Sequence, residues 1–131
     1  MINSSAIGIR TEGRVLAALL EMGKNILLPF GSGARYDLAF DENGILVRVQ
    51  CKTGKIVNGR LVYNSRSLGR DGMPRHYEGE IDFFGVYSPE LQQVYLVPVD
   101  IVARGKGSLR IEPSLNNQQR GITWADQFKV P

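Results

Sequence analysis

The sequence predicts an α/β domain in which a mixed central β-sheet is flanked by helices. Three observations carry this. Residues 6–22 repeat apolar side chains at helical spacing, with Ile9, Val15, Leu16, Leu19 and Leu20 on one side. Residues 36–41 and 45–52 alternate like half-buried strands around Asp41-Glu42-Asn43-Gly44, and Asn-Gly is the dipeptide a tight hairpin favours. Residues 81–87 and 93–97 are two further apolar runs of strand length.

The elements follow in order. Ser4 or Ser5 is positioned to cap the helix and Gly23 to end it. Residues 25–29 form a first strand, and residues 30–35 a glycine-bearing loop. A second turn at Val57-Asn58-Gly59 leads into a strand over 60–64, so the two hairpins are expected to form one antiparallel meander. Residues 65–78, with Gly69, Gly72 and Pro74, read as a long polar loop. Ser88-Pro89-Glu90 joins the later strands, 100–103 suits a helical turn, and 109–111 an edge strand. Trp124, Ala125 and Phe128 have the spacing of a small helix docked on the core, with Trp124 as an anchor. Without repeats or a composition break, residues 1–131 are expected to form a single domain.

Composition narrows the chemistry. The hydrophobic fraction of 43% suits a globular protein. No apolar run is long enough to span a bilayer and no signal-peptide pattern opens the chain, so a cytoplasmic location is expected. Cys51 is the one cysteine and His76 the one histidine, which excludes an internal disulfide and Cys- or His-rich metal sites. Any metal ligands are therefore oxygens, which favours Mg²⁺ or Mn²⁺. Net charge is +3, compatible with an anionic partner. Between Lys52 and Arg75 lie Lys55, Arg60, Arg66 and Arg70, with Asp71 the only acid. That segment is either a DNA-contacting arm that neutralises phosphates or a solvated basic loop. Arg35 is a further phosphate-contact candidate or a surface arginine.

Side chains alternate faces along a strand. The hairpin around Asn43-Gly44 therefore has one apolar side, with Ile45, Val47, Val49 and Cys51, while the other can gather Asp37, Gln50, Lys52 and Arg48. An aspartate and a glutamine carbonyl supply hard oxygens for Mg²⁺, and a lysine can orient water or stabilise charge on phosphate. A polar sheet face in water would look the same. Glu12 falls on the apolar stripe of the helix, where a carboxylate is costly unless paired or bound to a cation; at a wetter helix start it can instead interact with the dipole. His76 and Tyr77 lie near Glu80 and Asp82 in sequence, either a second acid–base centre or, the preferred reading, a structural hydrogen-bond set, and Asp82 can cap its strand or pair with Arg48. Cys51 is most simply a small buried hydrophobe.

The ordered set Glu12, Tyr36-Asp37 and Arg48-Val49-Gln50-Cys51-Lys52 resembles the PD-(D/E)XK nuclease superfamily. It is especially similar to the group I intron-associated, homing-type PD-(D/E)XK endonucleases, in which Gln replaces the usual acid of the (D/E)XK element. The similarity continues through Gly79-Glu80-Ile81-Asp82, Tyr95-Leu96-Val97-Pro98-Val99 and the Gly121-Ile122 and Trp124-Ala125 tail. The resemblance implies a restriction-endonuclease-like fold and Mg²⁺-dependent DNA cleavage, with Mn²⁺ able to substitute. It implies Asp37 as main metal ligand, Gln50 as a neutral second ligand, Lys52 as catalytic lysine, Glu12 as the helix acid, and the Cys51 backbone carbonyl as a further ligand. Two departures stand out. Pro29 lies well before Asp37, so the literal Pro-Asp pair is absent, and Gln50 removes one negative charge, which weakens metal binding or leaves one metal instead of two. A nuclease this small reaches both strands by repeated visits or by oligomerising, so a homodimer or homotetramer is expected. A Holliday-junction-type resolvase and a non-catalytic DNA-binding module that keeps the nuclease fold are the alternatives.

Overall fold

The computed structural model describes residues 3–31, 33–68, 74–77, 79–101, 106–113 and 122–131. Helix α1 (Ser4–Glu21) starts one residue earlier than either serine would allow. Asn3 is its cap, its side-chain oxygen accepting from the Ala6 amide at 2.9 Å. The buried stripe is Thr11, Val15 and Leu19, whereas Ile9 and Leu20 are 68% and 55% exposed. The inward face is thus rotated from the expected one, and Thr11 takes the core position beside Glu12, which remains mostly exposed.

Ten strands follow among the described residues: β1 (Asn25–Leu27), β2 (Leu38–Glu42), β3 (Ile45–Thr53), β4 (Lys55–Val57), β5 (Arg60–Asn64), β6 (Arg66–Leu68), β7 (Pro74–His76), β8 (Phe83–Ser88), β9 (Gln93–Pro98) and β10 (Lys106–Arg110). The main sheet has the order β1-β2-β3-β8-β9, with β3 and β8 parallel and the other pairs antiparallel. A smaller sheet has the order β10-β5-β4, and β6 pairs with β7. Both Asn-Gly hairpins form as expected, with φ of 55° and 88° at Asn43 and Gly44 and 49° and 73° at Asn58 and Gly59.

The single meander does not form. Thr53 ends β3, and at Gly54 the chain leaves for the smaller sheet, the Gly54 amide donating to the Tyr87 carbonyl at 2.8 Å. A Cβ at Gly54 would lie 2.5 Å from Leu61 Cδ1, so the crossing is close. The stretch 65–78, expected as a loop, contains β6 and β7 in register Arg66↔His76, while residues 69–73 and 78 lie outside the described residues. The tail forms a 3-10 turn over Ala125–Phe128 where a small α-helix was expected; another covers Val99–Ile101, and residues 102–103 lie outside the described part.

The main sheet is buried on both faces. Val15 and Leu19 of α1 pack on Leu38, Phe40, Val49 and Cys51 on one side. Leu61, Tyr63 and Leu109 of the smaller sheet pack on Phe84, Val86, Tyr95 and Val97 on the other. Each fully buried aliphatic or phenyl side chain contributes about 1.5–3 kcal/mol. Gly85 sets the height of α1: a Cβ there would lie 2.7 Å from Val15 Cγ1. No helix among the described residues is long and apolar enough to cross a membrane.

Candidate active site

β2 begins at Leu38, opposite Val49, and the same register carried one residue back sets Asp37 against Gln50. Here the ladder changes partners. The Asp37 amide donates to the Val49 carbonyl at 2.9 Å, and the Asp37 carboxylate accepts from the Cys51 amide at 2.7 Å. The side chain takes the place where a further β2 carbonyl would sit. In an extended strand the N–H and C=O of one residue point to the same neighbour. The Cys51 carbonyl therefore faces the edge that β2 has vacated.

Glu12 reaches that edge from α1. Its carboxyl is held above the usual range, first by partial desolvation and then by the hydrogen bond and charge of Asp37. A cavity of about 310 Å³ opens at the pair, with Glu12, Tyr36 and Asp37 on one side and Leu28, Pro29, Gly31 and Ala34 on the other. The Cys51 thiol is 8% exposed, and burial, then Asp37 and Glu12, push its pKa upward. It remains a protonated, inert core group as expected, not a nucleophile.

Gln50 and Lys52 leave β3 on the opposite face from Val49 and Cys51, in register with Phe84 and Val86 of β8. Lys52 Nζ lies 3.4 Å from the Arg66 carbonyl, 3.5 Å from Tyr77 Oη and 5.1 Å from the Tyr77 ring centre. Among the described residues Lys52 forms no ion pair. Tyr77, 4% exposed, also supports Arg35, whose guanidinium stacks 4.2 Å from its ring and bonds Glu80 at 2.5 Å. No local pattern places Tyr77 beside Lys52, because β6 and β7 bring residues from an expected loop back to the sheet. Arg48 is not part of this centre. It binds Asp82 at 3.3 Å, as expected, and the Gly79 carbonyl at 3.1 Å.

Glu12, Asp37 and the Cys51 backbone thus meet at one end of the main sheet, with Gln50 set against Asp37 by the strand register and Lys52 two residues beyond it. Among the described residues, the proposed DNA-contact cations do not gather around the carboxyl pair. Arg35 is committed to Glu80 and Tyr77, Lys55 lines a different cavity, and Arg60 is exposed beside the β4–β5 turn. Arg66 lies on β6 with its Nε buried and without a hydrogen-bond partner. Arg70 lies outside the described residues, as does the side chain of Arg75.

The described residues contain no group of three or more His, Cys, Asp or Glu side chains placed for a metal. The available donors are two carboxyls, a backbone carbonyl and the Gln50 amide, all oxygen. Two carboxyls in contact repel when both ionise, and a divalent cation between them removes that penalty. The residues therefore fit one hard cation.

A family model described as PD-(D/E)XK endonuclease matches residues 2–131. Among solved structures, the bacterial homing endonuclease I-Ssp6803I is similar, with a TM-score of 0.74 and 26% identity over 99% of this chain and 88% of that one. No curated protein sequence matches significantly. The mixed sheet with α1 across one face is accordingly the restriction-endonuclease-like α/β fold expected from the sequence.

Proposed function

Because this chain belongs to the PD-(D/E)XK endonuclease family, we propose that it is a Mg²⁺-dependent DNA endonuclease of the site-specific homing type, acting on double-stranded DNA. The observation that carries this is the contact between the Glu12 and Asp37 carboxyls at the opened edge of β3, with Lys52 on the same strand. The homing reading is supported by the similarity to a protein described as a bacterial homing endonuclease.

Asp37, Glu12, Gln50 and the Cys51 carbonyl would hold the cation, with Mn²⁺ able to replace Mg²⁺. When bound, it neutralises phosphate charge and makes water more acidic. The chain's own residues do the positioning. The Cys51 amide fixes the Asp37 carboxylate, so its free oxygen does not need to reorganise during the reaction. Lys52, cationic and with only neutral partners among the described residues, is free to donate from Nζ to a phosphate oxygen as negative charge builds there. Tyr77 holds the ammonium group from below. The protein is expected to work as a homodimer or homotetramer, so that two centres address the two strands; a monomer by light scattering with and without DNA would refute that part.

Cleavage of a random-sequence duplex library with Mg²⁺, followed by end sequencing, tests the substrate. Cuts at one or a few related sequences support the homing reading. Cleavage of four-way junctions irrespective of sequence would replace it with junction resolution, and binding without cleavage in any metal would replace it with a DNA-binding module.

A further inference from the structure

α1 has a second working flank. A cavity of about 870 Å³ lies between α1, the β3–β4 junction and the turn after β8. Arg10, Arg14 and Lys55 bring three cations to its lining, and no Asp or Glu lines it. All three are exposed and, among the described residues, none has an ion pair. Arg14 rests its guanidinium 5.5 Å from the Tyr87 ring centre, which holds the charge over the cavity without neutralising it. Glu90, in the neighbouring turn, is occupied by the Ile56 amide at 3.2 Å. The floor is rigid: Thr11, 2% exposed, shares a 2.5 Å hydroxyl hydrogen bond with Thr53, tying α1 to the end of β3.

Three unpaired cations around a concave, partly apolar wall suit an anion on an organic scaffold. We infer that this cavity is a second phosphate subsite, which grips the backbone of the DNA strand a few nucleotides from the bond that is cut. The inference rests on the nuclease reading and extends it to residues outside the carboxyl centre. Spacing supports it. Thr53 is three residues beyond Gln50 on β3, about 10 Å at the strand rise of about 3.3 Å per residue. A DNA strand advances about 3.4 Å per nucleotide along the duplex axis, so a duplex lying along β3 would set the two sites roughly three nucleotides apart.

The test is duplex binding by fluorescence anisotropy in EDTA across a salt series, paired with plasmid cleavage in Mg²⁺. Wild type is compared with Arg10→Ala/Arg14→Ala, with Lys55→Ala, with Arg10→Lys/Arg14→Lys, and with Lys129→Ala as a distant exposed cation. The double alanine variant is expected to bind roughly tenfold more weakly, with a salt slope shallower by about one to two; Lys55→Ala should lower the slope by about one. The double lysine variant should keep the slope, and Lys129→Ala should leave affinity unchanged. Wild-type slope and affinity in both alanine variants would overturn the inference while leaving cleavage intact. Weakened binding by those variants of a wild type that binds but never cleaves would keep the subsite and overturn hydrolysis. A wild type that neither binds nor cleaves overturns both. Calorimetry with inorganic phosphate reads the other source of the same chemistry: tight binding of free phosphate, lost in the double alanine variant, with unchanged duplex affinity, would assign the cavity to a small anion instead of DNA.

Discussion

The two flanks of α1 hold their charges in opposite ways. On one, Glu12 and Asp37 are pressed together and Asp37 is fixed by a backbone amide. On the other, Arg10, Arg14 and Lys55 stand on flexible stems with no ion pair among the described residues. Crowded like charges in a fixed frame favour a point cation and make the geometry exacting. Dispersed cations tolerate displacement and favour an extended polyanion. A single helix, set on Gly85 by close packing, therefore separates the proposed chemistry from the proposed grip on the substrate.

The largest expected effect breaks only the acidic flank. Lys52→Met should lower DNA cleavage by on the order of a hundredfold to a thousandfold, the range for losing one preorganised charge-stabilising donor. Duplex affinity should change little, because the basic flank is untouched. Single-turnover kinetics beside anisotropy would show this, and equal losses in both would mean the flanks are not separable.

Gly85→Ala strikes both flanks at once. The new methyl would meet Val15, so α1 must lift, at a cost of about 1–3 kcal/mol. Urea unfolding should show this loss, together with weaker cleavage and weaker binding. Stability unchanged from wild type would remove Gly85 as the element that sets the helix.

A pH effect sharpens the contrast further. The Glu12 carboxyl lies above its ordinary value of 4.5 in the folded protein, so the folded state holds that proton more tightly than the unfolded chain. Its contribution to stability is present below the ordinary value and is lost as pH rises through the raised one. In EDTA, thermal unfolding should therefore weaken over that window, and Glu12→Gln should flatten the dependence and raise the melting temperature. Arg10→Ala should do neither. A steeper slope in Glu12→Gln would contradict the carboxyl contact.

The smallest effect lies away from both flanks. Lys24 pairs with Glu42 at 2.8 Å on the surface, with Glu42 about half exposed. Lys24→Ala should cost less than about 1 kcal/mol and leave cleavage and binding unchanged.

Much of this arrangement was legible in the sequence. Strict alternation and Asn-Gly turns placed β3 and β5 and set Asp37 across from Gln50, because hairpin register is a local property. The parallel pairing of Val49 with Phe83 joins residues far apart in the chain, and no local pattern marks it. That pairing diverts the second hairpin to its own sheet, so one meander was expected where two sheets form. Glu12 was identified, but for an incomplete reason. It lies beside the buried stripe, not on it, and its environment comes from Asp37, which a helical wheel does not show. Tyr77 is legible beside Glu80 and Asp82 but not beside Lys52, and the pair Arg10 and Arg14 carries no local signal. Their roles arise from β6 and β7 folding back and from α1 meeting Thr53, both long-range contacts.

The most direct test of the central claim is nicking of supercoiled plasmid by wild type and Asp37→Asn, in Mg²⁺, Mn²⁺ and EDTA. Asp37→Asn keeps the shape and an acceptor for the Cys51 amide but removes the charge. Cleavage by wild type in either metal, none in EDTA, and none by a folded Asp37→Asn variant is the predicted result. Cleavage that persists in EDTA, or in Asp37→Asn at the wild-type rate, would contradict the assignment of this carboxyl pair as the catalytic centre.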